Sequence, residues 1–197
     1  MARQGTIQRK TKETSVSLTI DLDGSGHADV STGIPFLDHM LTLIASHGFI
    51  DLRVRAEGDL AVDAHHTVED IGICLGMGLL EALGEKCGIC RYGSAIAPMD
   101  EALAEVALDI SGRGYLVYQV PAAGSSGKIG NFDVELVREF FQALASRAAV
   151  TLHVNCRYGR NSHHIVEAIF KAFGRALDAA TAKESRSKGV LSSKGVL

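Results

Sequence analysis

Ala64-His65-His66-Thr67-Val68-Glu69 returns 98 residues further on as Ser162-His163-His164-Ile165-Val166-Glu167, and this recurrence decides how the rest of the chain is read. Self-similarity at a fixed spacing marks a supersecondary unit used twice. The match extends outward from the motif. Upstream, Asp38-His39-Met40-Leu41-Thr42-Leu43-Ile44-Ala45-Ser46 aligns with Arg138-Glu139-Phe140-Phe141-Gln142-Ala143-Leu144-Ala145-Ser146, both apolar at helical spacing and both ending in Ala-Ser. An alternating strand follows each, Phe49 to Arg55 and Val150 to Arg157. Further upstream, Ile20-Asp21-Leu22-Asp23-Gly24-Ser25-Gly26 reads like Leu108-Asp109-Ile110-Ser111-Gly112-Arg113-Gly114, a strand running into a glycine turn. Downstream, both motifs open long helical runs, Thr67 to Leu83 and Ile165 to Ala182, with Gly76 and Gly174 in matching places.

Strands alternating with helices in this order predict an α+β fold: internally duplicated halves, mixed sheets packed against paired helices. The halves cover about 11–93 and 99–182 of a single domain spanning 1–197, with a C-terminal tail at 183–197. No Pro/Gly/Ser linker divides them; Gly124-Ser125-Ser126-Gly127 falls inside the second half and reads as the loop of a hairpin. Only Met1 to Lys10 and Lys183 to Leu197 look loosely tethered.

Composition narrows the function classes. With 46% hydrophobic and 22% charged residues, the chain can bury a full core. A net charge of −3 without a basic block argues against a nucleic-acid surface, while leaving room for local basic pockets that hold an anionic small molecule. The polar, basic N-terminus has no apolar targeting core and no run is long enough to span a bilayer, so the expectation is a cytoplasmic protein without membrane partners. Cys74, Cys87, Cys90 and Cys156 lack a disulfide rhythm, and the lone Cys87-Gly88-Ile89-Cys90 has no second ligand pair for zinc.

The chemistry lies in the repeated motif. On a helix, residues four apart share a face while neighbours diverge by about 100°. His65 and Glu69 can therefore hold one metal ion, and His163 and Glu167 another. His66 and His164 look elsewhere, and each would complete the opposite ion if the two helix starts face each other. The repeat offers a further ligand from the matched helices, His39 in one half and Glu139 in the other. Imidazole and carboxylate without thiolate suit Mn, Fe, Co or Zn.

The stretches Pro35-Phe36-Leu37-Asp38-His39-Met40-Leu41, Asp63-Ala64-His65-His66-Thr67-Val68-Glu69-Asp70, Pro98-Met99-Asp100-Glu101, Ser111-Gly112-Arg113 and Gly159-Arg160-Asn161-Ser162-His163-His164-Ile165-Val166-Glu167 resemble the imidazoleglycerol-phosphate dehydratase family along nearly the whole chain. The resemblance implies a duplicated ββαβα-type unit like the second domain of ribosomal protein S5, in a homo-oligomeric 24-subunit shell with sites between subunits. It also implies two Mn2+ per chain: one on His39, His66, His163 and Glu167, the other on His65, Glu69, His164 and position 139. The family pattern has His at that last position, in a Glu-His-Phe-Phe context, whereas this chain has Glu139. The implied reaction converts imidazoleglycerol phosphate to imidazole acetol phosphate and water in histidine biosynthesis. Its imidazole would bridge the metals as imidazolate and pass through a diazafulvene-like intermediate. Glu13 matches the family's acid/base and contacts substrate, with Glu101 its partner in the repeat and Asp100 and Glu101 candidate site-organising carboxylates. Arg91, Arg113, Lys171, Ser192, Ser193 and Lys194 match phosphate-binding positions, and His47 is a further substrate-contact candidate. The tail repeats itself, Lys188-Gly189-Val190-Leu191 and Lys194-Gly195-Val196-Leu197, so the lysine that meets phosphate stays open. Two other readings of the metal pair are a dinuclear hydrolase of phosphate esters or amides and a metal-binding assembly or storage protein.

Overall fold

A computed structural model describes residues 2–187, 189–195 and 197 of the chain. The first half contains β1 (Gln4–Lys10), β2 (Thr14–Asp21), β3 (Ala28–Ser31), α1 (Pro35–Gly48), β4 (Asp51–Gly58) and α2 (His65–Leu83). The second repeats the order with β5 (Tyr92–Met99), β6 (Ala102–Asp109), β7 (Tyr115–Gln119), α3 (Leu136–Ala148), β10 (Thr151–Tyr158) and α4 (Ser162–Thr181). Between β7 and α3 it adds a single 3-10 turn, Ala122–Gly124, and a small hairpin of β8 (Lys128–Ile129) and β9 (Phe132–Asp133). Gly124-Ser125-Ser126-Gly127 thus leads into the hairpin instead of forming its tip.

Each half builds a four-stranded mixed sheet, β1-β2-β4-β3 and β5-β6-β10-β7, in which only the last pair is parallel. Alternation drives the burial: Val16, Leu18 and Ile20 of β2 face inward while Ser15 and Ser17 face out. α2 lies on β1 and β2 and α4 on β5 and β6, and the helices then pack across the halves, α1 on α4 and α2 on α3. The halves therefore share one core.

Two sequence expectations change. Gln4–Lys10 is not a loose end: it pairs along its whole length with β2, while Met1 lies outside the described residues. The halves accordingly begin at β1 and β5, earlier than the predicted 11 and 99. This edge strand buries only Gly5 and Ile7, a single apolar side chain, so its apolar pattern is nearly silent. The tail is also tied down at Lys183, Val190 and Leu191. Isolated bridges join Cys87 to Val190 and Ile89 to Lys183, and the Arg91 guanidinium donates to the Leu191 carbonyl at 2.5 Å. Lys188 and Val196 lie outside the described residues.

The cross-half helix pairs explain the matched glycines. A Cβ on Gly76 would stand 2.6 Å from the Leu144 carbonyl oxygen, and one on Gly174 2.9 Å from that of Ile44. Alanine would gain roughly 1 kcal/mol of helix propensity, but pressing a methyl into backbone costs about 1–3 kcal/mol. Sterics win. Gly76→Ala is expected to lower the urea midpoint, and an unchanged or raised midpoint would show that α2 and α3 can separate freely.

Candidate metal centre

The helix starts are fixed locally. Asn161 caps α4 by accepting the His163 N–H at 2.9 Å, and the Asp63 carboxylate accepts the His65 N–H at 2.7 Å at the head of α2. α1 begins at Pro35, with Asp38 in its first turn accepting the Thr32 N–H and hydroxyl at 2.9 and 2.6 Å.

Because α1 packs on α4, the first turns of these two helices meet. His39 Nε2 and His163 Nε2 stand 3.3 and 3.0 Å from the same Glu167 oxygen, Oε2. The ligand atoms lie within 4.8 Å of one another, the only such His/Cys/Asp/Glu group among the described residues. Glu167 is 8% exposed, and its other oxygen accepts from the Lys171 ammonium at 2.7 Å. Burial pushes its carboxyl up, but Lys171 and the two histidines outweigh this and bring it down to about 2. The Phe36 ring meets the His163 ring edge-on at 5.3 Å, fixing its plane. An adjoining cavity of about 680 Å³ is lined by Phe36, His39, Leu60, Val62, Phe132 and His163.

Adjacent histidines do diverge: the rings of His65 and His66 are inclined at 87°, and those of His163 and His164 at 79°. The second histidine of each pair, however, does not reach the opposite group within the chain, because α4 packs on α1 and α2 on α3, so the two His-His helix starts do not face each other. His66 Nδ1 is 3.0 Å from Asp59 Oδ2, and His164 Nδ1 is 2.7 Å from Glu101 Oε2. Those hydrogen bonds raise the pKa of both imidazoles, and the nearby Glu13 charge adds to the effect at His66. Glu101 is held down to about 2, first by His164 and then by the Asn161 and Arg160 N–H groups.

The other candidate ligands form a looser set. His65 and Glu139 line one cleft of about 530 Å³ with Arg138 and Tyr118, while Glu69 is exposed outside it. Glu13 sits exposed in the β1–β2 turn, its N–H donating to the Thr11 hydroxyl. His47, in the last turn of α1, lines a cleft with Arg175 and Asp178; burial lowers its pKa, as do Lys171 and Arg175. Lys171 is engaged by Glu167 and Met99.

Arg91 and Arg113 gather with the tail. Arg91 holds Asp109 at 2.7 and 3.1 Å, and the Leu197 carbonyl carbon lies 2.5 Å from where a Gly112 Cβ would be. Ser192 is half-buried there, and Ser193 and Lys194 are exposed. This cluster is far from the His39 group. Arg91 precedes β5, whose eight residues separate it from the Asp100-Glu101 turn beside His164, a span of roughly 26 Å at ~3.3 Å per residue. The Arg91 N–H also bonds the Ala180 carbonyl, at the opposite end of α4 from His163.

Sequence reasoning missed Asp59, Phe36 and the Lys171–Glu167 pair. Only the last had a signal, the i,i+4 spacing of a carboxylate and an amine on α4.

Comparison with known proteins gives a consistent result. A family model described as imidazoleglycerol-phosphate dehydratase matches residues 32–177. Proteins of that name from Geobacter sulfurreducens and Acetivibrio thermocellus are 59% and 58% identical over 197 residues, covering all of both chains. The crystal structure of the Staphylococcus aureus N315 protein of that name superposes with a TM-score of 0.82 at 43% identity, covering 91% of this chain and 99% of its own. The Pyrococcus furiosus structure, a complex with (S)-C348, gives 0.83 at 42% identity, covering 97% and 100%. Among the described residues, no helix is long and apolar enough to cross a membrane.

Proposed function

The chain belongs to the imidazoleglycerol-phosphate dehydratase family, and on that premise we propose that His39, His163 and Glu167 hold one of two divalent metal ions. The enzyme is a hydro-lyase of histidine biosynthesis, removing water from imidazoleglycerol phosphate to leave imidazole acetol phosphate. The observation that carries the metal reading is the convergence of two imidazole nitrogens on one buried carboxylate oxygen. A buried carboxylate held ionised is a ready cation ligand. Manganese is the expected ion, on the family resemblance, and the cytoplasm the expected compartment.

His65, Glu69 and Glu139 are the candidates for the second ion. His66 and His164 would each complete an ion held by another subunit: in both, Nδ1 is hydrogen-bonded to a carboxylate, which leaves Nε2 to face outward, in His164 with the Asp100 carboxylate 3.7 Å away. When bound, the metal pair would hold the substrate imidazole as its anion, so that ring electron density can expel the neighbouring hydroxyl. The chain's own residues do the rest. Glu13 moves the proton between carbon and oxygen, and Arg91, Arg113 and the Ser192-Ser193-Lys194 tail take the phosphate.

The substrate has three carbons between ring and phosphate and cannot span the distance from the His39 group to Arg91. One subunit must therefore supply phosphate ligands to another subunit's metals, which fits a homo-oligomer such as the family's 24-subunit shell. Two experiments test these points. With manganese restored, the protein should form imidazole acetol phosphate and carry two ions per chain; product formation without bound metal would remove the metal reading. Co-assembled Arg113→Ala and His163→Ala chains, each inactive alone, should recover part of the activity. No recovery in confirmed mixed oligomers would mean that sites are completed within one chain.

A further inference from the structure

The repeat pairs Glu13 with Glu101 and His66 with His164, yet the two halves use these residues differently. In the second half Glu101 is fully committed. One oxygen takes His164 Nδ1 at 2.7 Å, and the other accepts the N–H groups of Arg160 and Asn161 at 3.1 and 2.8 Å. Symmetry would have Glu13 do the same for His66. Instead, His66 Nδ1 is 3.0 Å from Asp59, a residue of the first half with no carboxylate counterpart in the repeat, since Arg160 occupies the corresponding turn.

Asp59 is held in place by packing. It directly follows Gly58, where a Cβ would stand 2.0 Å from the Thr67 hydroxyl, so the end of β4 is pressed against the first turn of α2. The Asp59 carbonyl accepts the Val62 N–H at 2.8 Å, closing the turn. Its second carboxylate oxygen, Oδ1, is buried without a protein partner. The carboxylate is therefore aimed at His66 by the backbone and needs no help from Glu13.

We propose that Asp59 is a positioning residue: by accepting the Nδ1–H of His66 it directs Nε2 outward as a metal ligand, and it releases Glu13 from the orienting role that Glu101 performs in the other half. Duplication produced two equivalent carboxylates, and a single added aspartate lets one of them work as the acid/base. The proposal rests on the two-ion site above, with His66 serving an ion of a neighbouring subunit.

Two effects of Asp59→Asn follow. Manganese affinity, measured by titration of the metal-free enzyme, should fall about 10- to 100-fold, the usual cost of losing a partner that orients a ligating histidine, while the melting temperature of the metal-free protein stays unchanged. At saturating manganese kcat should still be lower, because the freed imidazole recruits Glu13. That loss should be absent on top of Glu13→Gln, so the two substitutions are not additive. Asp59→Glu should recover part of the affinity. Unchanged affinity, or kcat losses that simply multiply in the double variant, would overturn the proposal. Failure of the wild-type enzyme to bind manganese at all would instead overturn the metal site on which it rests.

Discussion

Glu167→Gln is expected to lose manganese from the His39 group and to reduce kcat/KM by about 10³-fold or more, corresponding to ~4 kcal/mol of lost transition-state stabilisation. Glu167 is the point where the group converges: both imidazoles reach the same oxygen, and Lys171 holds the other. An amide keeps the shape but offers no charge. It also leaves the Lys171 ammonium, 20% exposed, without its partner, so some loss of fold stability must be separated from loss of metal. Manganese should raise the melting temperature of the wild type, since a ligand that binds only the folded state stabilises it, and this increment should shrink sharply in Glu167→Gln. His163→Ala removes a ligand without stranding Lys171 and should behave alike. Retention of the full metal-induced shift in both variants would show that the ion sits elsewhere.

The same carboxylate sets a pH dependence in the metal-free protein. Its folded pKa of about 2 lies below the ordinary 4.5. A depressed carboxyl contributes stability that is present above the unfolded value and fades as pH falls from about 4.5 toward 2. Glu167→Gln should flatten that part of the acid-denaturation curve.

Much of this site could be read in the chain. Helical spacing alone places His163 and Glu167 on one face of α4 and makes adjacent histidines diverge, and the repeat adds His39 from the matched helix. What helical geometry cannot give is the separation between helix starts. Within one chain the two His-His motifs do not face each other, because α4 packs on α1 and α2 on α3, contacts set by glycines and side chains dispersed over all four helices. β1 was hidden for a different reason: a strand at a sheet edge that buries one apolar residue has almost no periodic signal. β3, Ala-Asp-Val-Ser, is half-buried and held by parallel pairing to a strand more than twenty residues away. Asp59 had no motif at all. Its role depends on how closely the end of β4 approaches α2, a tertiary fact written locally only as Gly58.

Glu13→Gln should lower kcat by about 10²- to 10⁴-fold, the range for a general acid/base, and leave metal content and the manganese-induced rise in melting temperature intact. The contrast with Glu101 makes the case. Glu101 is tied to His164 and two backbone N–H groups and is held at about 2, too acidic to carry a proton near neutrality. Glu13 stands in the equivalent turn, exposed, with its backbone fixed by Thr11 and no ion pair or side-chain hydrogen bond on its carboxylate among the described residues. A carboxylate that must take a proton from carbon and return one to oxygen has to be free to exchange. The glutamine variant should therefore lose turnover with little change in KM, since phosphate and imidazole are held by other groups. Glu101→Gln should do the reverse, weakening metal binding through His164 while sparing kcat at saturating manganese. If Glu13→Gln instead released metal, or kept wild-type turnover, Glu13 would be a structural carboxylate like its mate and the proton carrier would have to be sought on another subunit.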